Sequence, residues 1–237
     1  YERMEGMKTV GLLGGMSWES TATYDRLINQ GVRNRCGGLH SAKMLLYSVD
    51  FAEIEELQSS GRWQEAGLLL AEAAAGLERG GAELLLICTN TMHKVAEQVS
   101  AAVTIPLLHI AEATGERVAA DNIERVGLLG TRFTMEENFY RGVLETRFGL
   151  RVVVPPAQDR RLVDEVIFAE LCRGVIAEGS KKQYLRIADS LAAQGCEAII
   201  LGCTEIALLI GPADTELKFY DTTEIHAQQA VTMMLEL

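Results

Sequence analysis

Lys8-Thr9-Val10-Gly11-Leu12-Leu13-Gly14 returns downstream as Glu124-Arg125-Val126-Gly127-Leu128-Leu129-Gly130. A longer stretch, Leu77–Thr91 (LERGGAELLLICTNT), returns as Leu191–Glu205 (LAAQGCEAIILGCTE). The two echoes share nearly the same offset, the mark of a duplicated α/β unit with one site expected between its halves. VGLLG, LLLI and AIIL are short, near-continuous apolar runs, which is the pattern of strands covered on both faces. The longer echo also sets an alignment that matters for chemistry: Cys203 falls opposite Thr89, not opposite Cys88.

Around these runs, strands and helical periods alternate. Thr9–Leu13, Met44–Val49, Leu84–Cys88 and Pro106–Ile110 read as strands of the first half. Ser20–Arg35, Ile54–Ser59, Trp63–Arg79 and His93–Ser100 carry helical spacing, and Gly80-Gly81 stops the third of them. The second half gives strands at Val126–Leu129, Arg151–Val154, Ala198–Leu201 and Lys218–Tyr220. Its helices are expected at Glu136–Phe148, Leu162–Ala177, Lys181–Gln194 and Glu224–Leu237. Such alternation indicates parallel sheets. The expected fold is therefore α/β, with two pseudo-symmetric lobes, each a mostly parallel sheet flanked by helices, and the active site between them. Residues 7–111 plus 217–237 are assigned to the first lobe and 112–216 to the second. Tyr1–Gly6 is set aside as an expression remnant or upstream extension, with Met7 as the natural start.

Composition narrows the function classes. Hydrophobic residues make up 48% of the 237 and aromatics only 6%, so the cores must rest on Leu, Ile, Val and Ala. The formal charge of −11 and the lack of any Lys/Arg run argue against a nucleic-acid partner. A small anion is still compatible, because local cations and backbone N–H groups decide its binding. Five cysteines without framework spacing point to the reduced cytoplasm rather than to disulfides. The apolar runs are far shorter than the roughly 20 residues a membrane span needs.

In parallel α/β sheets, ligands sit beyond the carboxyl ends of the strands. There the chain places Gly14-Gly15-Met16-Ser17, Thr131-Arg132-Phe133-Thr134, Thr89-Asn90-Thr91 and Cys203-Thr204-Glu205. These are mostly small donors suited to a small polar anion. Cys203 is the leading reactive residue, and a following helix N-terminus is expected to favour its thiolate. Two thiols flanking an α-carbon would permit two-base racemisation, but Thr89 holds the symmetric place and a hydroxyl is a much weaker acid than a thiol of pKa about 8.5. Cys88, one residue along, should point the other way on a strand. Asn90, Thr91 and Thr204 are candidate hydrogen-bonding groups for substrate carboxylate and ammonium, and Glu205 could tune Cys203 or bind ammonium.

Arg132, Arg160 and Arg161 are candidates for a side-chain carboxylate clamp, since guanidinium binds carboxylate bidentately. Arg161 is carried forward as the clamp. His93 reads as a capping or supporting residue, and His40, His109 and His226 as structural. Cys88 and His93 do not gather enough partners for a metal site. GLLGGMS lacks the third glycine of a dinucleotide fingerprint, and nothing points to a pyridoxal lysine.

These residues resemble the aspartate/glutamate racemase family over essentially all of Met7–Leu237. The resemblance rests on Gly14-Gly15-Met16, on Thr89-Asn90-Thr91-Met92-His93 matching a C-N-T-x-H element, and on Gly202-Cys203-Thr204-Glu205 matching G-C-T-E. It is strongest with the bacterial branch of aspartate/glutamate or broad-specificity racemases, whose first element reads C-T-N-T-M-H. It implies no cofactor, two α/β lobes with a small amino-acid substrate between them, a homodimer, and acid/base roles for the cysteine of each element. Carried over, Cys203 is one acid/base, and Thr89 stands where the other cysteine would be. Asn90, Thr91 and Thr204 become substrate ligands. Met16, Ser17, Thr131 and Thr134 line the pocket. The expected function is a cofactor-independent amino-acid racemase. The alternatives are a one-thiol decarboxylase or isomerase of a small diacid, and a non-catalytic amino-acid-binding protein.

Overall fold

The computed structural model describes residues 6–236. The reading of residues 1–6 as an extension falls, apart from Gly6, outside the described residues, as does the last residue of the expected closing helix. The chain divides into two compact units, one running to His109 and resuming at His226, the other spanning Ile110–Ile225. In the first, β1 (Val10–Gly14), β2 (Met44–Ser48), β3 (Leu84–Ile87) and β4 (Leu107–Leu108) form a sheet of order β2-β1-β3-β4. In the second, β5 (Arg125–Gly130), β6 (Arg151–Val153), β7 (Ala198–Gly202) and β8 (Lys218–Asp221) form one of order β6-β5-β7-β8. Every strand pair is parallel. The duplication is kept in register: Val10 pairs with Leu84 in one sheet and Val126 with Ala198 in the other.

The helices of the first unit are α1 (Trp18–Cys36), α2 (Phe51–Ser59), α3 (Trp63–Arg79) and α4 (Ala96–Ser100). The second half of the chain contributes α5 (Ile110–Ala120), α6 (Arg132–Glu136), α7 (Asn138–Phe148), α8 (Ala157–Ala169), α9 (Glu178–Ala193), α10 (Ile206–Leu209) and α11 (Thr222–Leu235). Strand side chains of the first sheet alternate between two apolar layers. Leu13, Leu85 and Ile87 join Ile54, Leu70 and Leu77 on one face. Leu12, Leu84, Leu86 and Cys88 join Tyr24, Ile28, Val231 and Met234 on the other. Burying each such Leu or Ile contributes roughly 1.5–3 kcal/mol.

The glycine inside each VGLLG run ties the two sequence echoes together. A β-carbon on Gly11 would lie 3.3 Å from Leu77 Cβ, and one on Gly127 would lie 2.9 Å from Leu191 Cδ1. The missing side chain lets the leucine of α3, and of α9 in the other unit, settle directly on the central strand. Overpacking of this kind costs about 1–3 kcal/mol.

Three sequence expectations are corrected. Residues 217–225 belong with the second unit, not the first, because Lys218–Asp221 pairs with β7; only from His226 does the chain return to the first core. The α5 helix was not foreseen, because its buried face is built of small residues such as Ala111, Ala113 and Gly115. It packs on α7, with the Phe148 ring filling the space a side chain at Gly115 would need. The expected helix Leu162–Ala177 instead begins at Ala157 and ends at Ala169, followed by a 3-10 turn at Leu171–Arg173 and a left-handed Gly174 with φ of 72°. Among the described residues, no helix is long and apolar enough to cross a membrane.

Candidate active site

Each unit presents the same local device, a loop at the carboxyl end of its central strand beside a loop at the end of the next. In the first unit the chain leaves β1 through Gly15, whose φ is 90° and where a β-carbon would lie 2.3 Å from the Val49 carbonyl. Only glycine fits that conformation and that approach. The Met16–Ser17 peptide is cis. Ser17 caps α1, its hydroxyl accepting from Ser20 N at 3.2 Å. Thr21 Oγ1 accepts from Gly15 N at 2.8 Å and donates to Ser17 O at 2.9 Å. Both expected pocket residues are enclosed here: Met16 joins the apolar layer of Ile54 and Met92, and Ser17 is buried.

Beyond β3, Cys88 lies fully buried in the layer of Leu12 and Tyr24. Burial pushes its thiol far above the ordinary range. Thr89 is half-buried, and Asn90 and Thr91 are buried as the chain enters a 3-10 turn over Thr91–Val95. The Ser20 hydroxyl donates to the Cys88 carbonyl at 3.1 Å. The His93 Nδ1–H donates to the Thr89 carbonyl at 2.8 Å.

Three histidines that sequence alone leaves scattered converge behind this turn. The His93 ring centroid lies 4.5 Å from that of His109 and 5.8 Å from that of His226. His226 Nε2 lies 3.0 Å from the Leu108 carbonyl, which can only accept, so Nε2 carries the proton and Nδ1 accepts from Tyr24 OH at 2.7 Å. Burial holds His226 down to about 3 and His93 well below its usual value. An unfolded histidine titrates near 6.5. Between those values the unfolded chain binds the extra proton, so stability rises with pH and is lost as pH falls below about 6.5. The expected loss approaches about 1.4 kcal/mol per pH unit for each such histidine. The urea midpoint should therefore fall between pH 7 and pH 5, and fall less in His226→Gln; an unchanged midpoint would contradict this.

In the second unit, Thr131 caps α6, accepting from Thr134 N at 3.3 Å, and the two hydroxyls lie 3.1 Å apart. Thr134 sits against the paired strand-end glycines, 3.2 Å from where a β-carbon would stand on either Gly130 or Gly202. Directly after Gly202, the Cys203 thiol donates to Glu205 Oε2 at 3.0 Å, and the Thr204 hydroxyl donates to the same oxygen at 2.6 Å. Cys203 is 8% exposed and Glu205 4%. Burial, then the Glu205 charge, then Cys172 push the Cys203 thiol well above its ordinary value.

This corrects the expected thiolate. The helix that follows has only four residues, and its N-cap position is held by Glu205, whose carboxylate opposes a second negative charge. Sequence reasoning placed Glu205 near the thiol but passed over Cys172 and Asp221. Asp221 ends β8 beside Leu201, with its carboxyl pushed up by burial. Neither carries a local sequence signal, since pairing and packing alone bring them to this end of the sheet.

The three candidate arginines have separate surroundings. Arg161 is exposed in a groove with Gln158, Asp159, Glu165 and Arg186, and no residue of the Cys203 or Thr131 loops lines that groove. Arg160 is engaged by Glu136 and the Pro155 carbonyl, both at 2.8 Å. The Arg132 guanidinium lies over the Phe133 ring. Among the described residues, no group of three or more His, Cys, Asp or Glu is placed to hold a metal ion.

Comparison with known proteins gives one consistent result. The family model described as Asp/Glu/Hydantoin racemase matches residues 13–230. A crystal structure of a candidate Asp/Glu racemase from Yersinia pestis is 52% identical, with a TM-score of 0.91 over 97% of this chain and 100% of that one. The structure of an aspartate racemase homologue from Pyrococcus horikoshii is 33% identical, with a TM-score of 0.84 over 97% of this chain and 100% of that one. The broad specificity amino-acid racemase RacX of Bacillus subtilis is 21% identical over 95% of this chain and 98% of its own length.

Proposed function

This chain belongs to the Asp/Glu/hydantoin racemase family, and from that premise we propose that it interconverts the enantiomers of aspartate, glutamate or another small amino acid without a cofactor. The observation that carries the reading is the Cys203 thiol at the end of β7, hydrogen-bonded to Glu205, in the place that Thr89 occupies in the other half. Cys203 and Thr89 serve opposite faces of the substrate α-carbon. Asn90, Thr91, Thr131, Thr134 and Thr204 supply donors that stabilise negative charge developing on the substrate carboxylate. Met16 and Ser17, at the turn between β1 and α1, line the pocket.

The Cys203–Glu205 pair can act as a base without creating two adjacent anions. The thiol proton passes along its hydrogen bond to the carboxylate, leaving thiolate and neutral carboxyl, so the net charge is unchanged. The thiolate then takes the α-proton. Thr89 can return a proton to the opposite face, since a carbanion is a far stronger base than an alkoxide. It cannot readily take one. The two faces are therefore served unequally.

Enantiomers have equal free energy, so kcat/KM for inversion is the same in both directions, whatever the site. The inequality shows instead in proton exchange. An enantiomer whose α-hydrogen faces Cys203 exchanges it with solvent faster than it inverts. The other exchanges only as fast as it inverts.

Activity is tested by incubating each enantiomer of aspartate, glutamate and a small amino-acid panel with cofactor-free protein and following inversion by chiral chromatography. Inversion of at least one acidic or small amino acid is expected, and its absence throughout the panel contradicts the proposal. With Cys88 buried in the core, Cys203 alone of the two motif cysteines is left to act on a substrate. That also suits a one-thiol decarboxylase or isomerase of a small diacid, which product analysis on diacids separates. The family resemblance further supports a cytoplasmic homodimer, and light scattering on the purified protein reads the oligomeric state.

A further inference from the structure

The proposed reaction requires Thr89 to be held in place. A threonine hydroxyl is a poor proton-transfer group, so its contribution depends on position more than on acidity. Displacement by about 1 Å can cost about 10²-fold in rate. The backbone around Thr89 is held at several points. Cys88 N donates to the Leu13 carbonyl at 2.9 Å, the last bond of the β1–β3 ladder. The Cys88 carbonyl accepts from the Ser20 hydroxyl, and the Thr89 carbonyl accepts from His93 Nδ1–H. The backbone His93 N donates to the Asn90 carbonyl at 3.1 Å.

The imidazole is itself held. It is buried, with the His109 and His226 rings against it, and His226 is fixed at both nitrogens by Tyr24 and Leu108. A tertiary scaffold of α1, β4 and α11 thus ends on one carbonyl, that of Thr89.

We infer that His93 is a positioning residue for Thr89: its Nδ1–H fixes the Thr89 carbonyl, and through it the hydroxyl that serves the second face of the substrate. The inference rests on the proposed racemisation. It separates His93 from a merely structural residue, because only the Thr89 half of the reaction should depend on it.

The test compares two variants of similar polarity in the full chain. His93→Asn keeps an N–H donor where Nδ1 stands, whereas His93→Gln moves it to the ε position. Two rates are read for each on the best amino acid of the panel: inversion, which needs the Thr89 face, and α-proton exchange without inversion, which needs only Cys203. His93→Gln is expected to slow inversion roughly 10- to 10²-fold while leaving same-face exchange near the wild-type rate, and His93→Asn to restore most of the inversion. Equal behaviour of the two variants, or a parallel fall in both rates, overturns the inference. So does loss of folded protein by circular dichroism in either variant, since that assigns His93 to the fold alone. Wild-type protein that exchanges no amino-acid α-proton overturns the proposed function as well. A wild type that exchanges, with variants that keep its ratio of rates, overturns the His93 inference only.

Discussion

Cys203→Ser is expected to lower inversion of the preferred amino acid by about 10²–10⁴-fold, the range that a positioned acid/base group supplies. Serine can keep the hydrogen bond to Glu205, and it replaces a small buried side chain, so the fold should survive. What is lost is ionisability. In the proposed mechanism the Cys203–Glu205 pair moves a proton between sulfur and carboxylate at constant charge. A serine alkoxide lies too high in energy to form beside that carboxylate. Same-face exchange should vanish together with inversion, because both begin at this atom. The check is chiral chromatography and proton NMR on a variant whose circular dichroism matches the wild type. Retention of full activity would remove Cys203 from the chemistry.

Thr89→Cys is expected to act in the opposite sense. It places an ionisable group on the proposed second face, at a half-buried position. Inversion should rise by up to about 10²-fold, and by the same factor in both directions, as equal enantiomer free energies require. The exchange behaviour should also change character. Both enantiomers would then exchange faster than they invert. A variant that inverts no faster, with exchange still confined to one enantiomer, would show that Thr89 does not serve the second face. Thr89→Ala provides the complementary readout, with slower inversion and preserved same-face exchange on the Cys203 side.

The parallel sheets and their duplication were legible because the pattern is local. VGLLG, LLLI and AIIL read as strands buried on both faces, and a repeat at nearly constant offset points to equal topology. The paired positions Gly11 with Leu77 and Gly127 with Leu191 even encode where a helix meets its strand. The parity of Cys88 was legible for the same reason, since it follows from the period of two along β3. What escaped depends on contacts distant in sequence. The α5 helix hides its face in Ala and Gly. Lys218–Asp221 reveals its sheet only by pairing with β7.

The histidines illustrate the same limit. His93, His109 and His226 come from three separate segments, and nothing local predicts that they meet. Sequence shows a helix start after Cys203, but not that the helix is one turn long or that the thiol bonds to Glu205.

In the proposed reaction one sulfur, working with Glu205, exchanges hydrogen with one face of a bound amino acid, while Thr89 serves the other face poorly. The most direct measurement is initial α-proton exchange in deuterated water, followed by NMR separately for each enantiomer of the best substrate alongside its rate of inversion. One enantiomer is expected to exchange faster than it inverts and the other to exchange no faster than it inverts. Equal initial exchange from both enantiomers would contradict it.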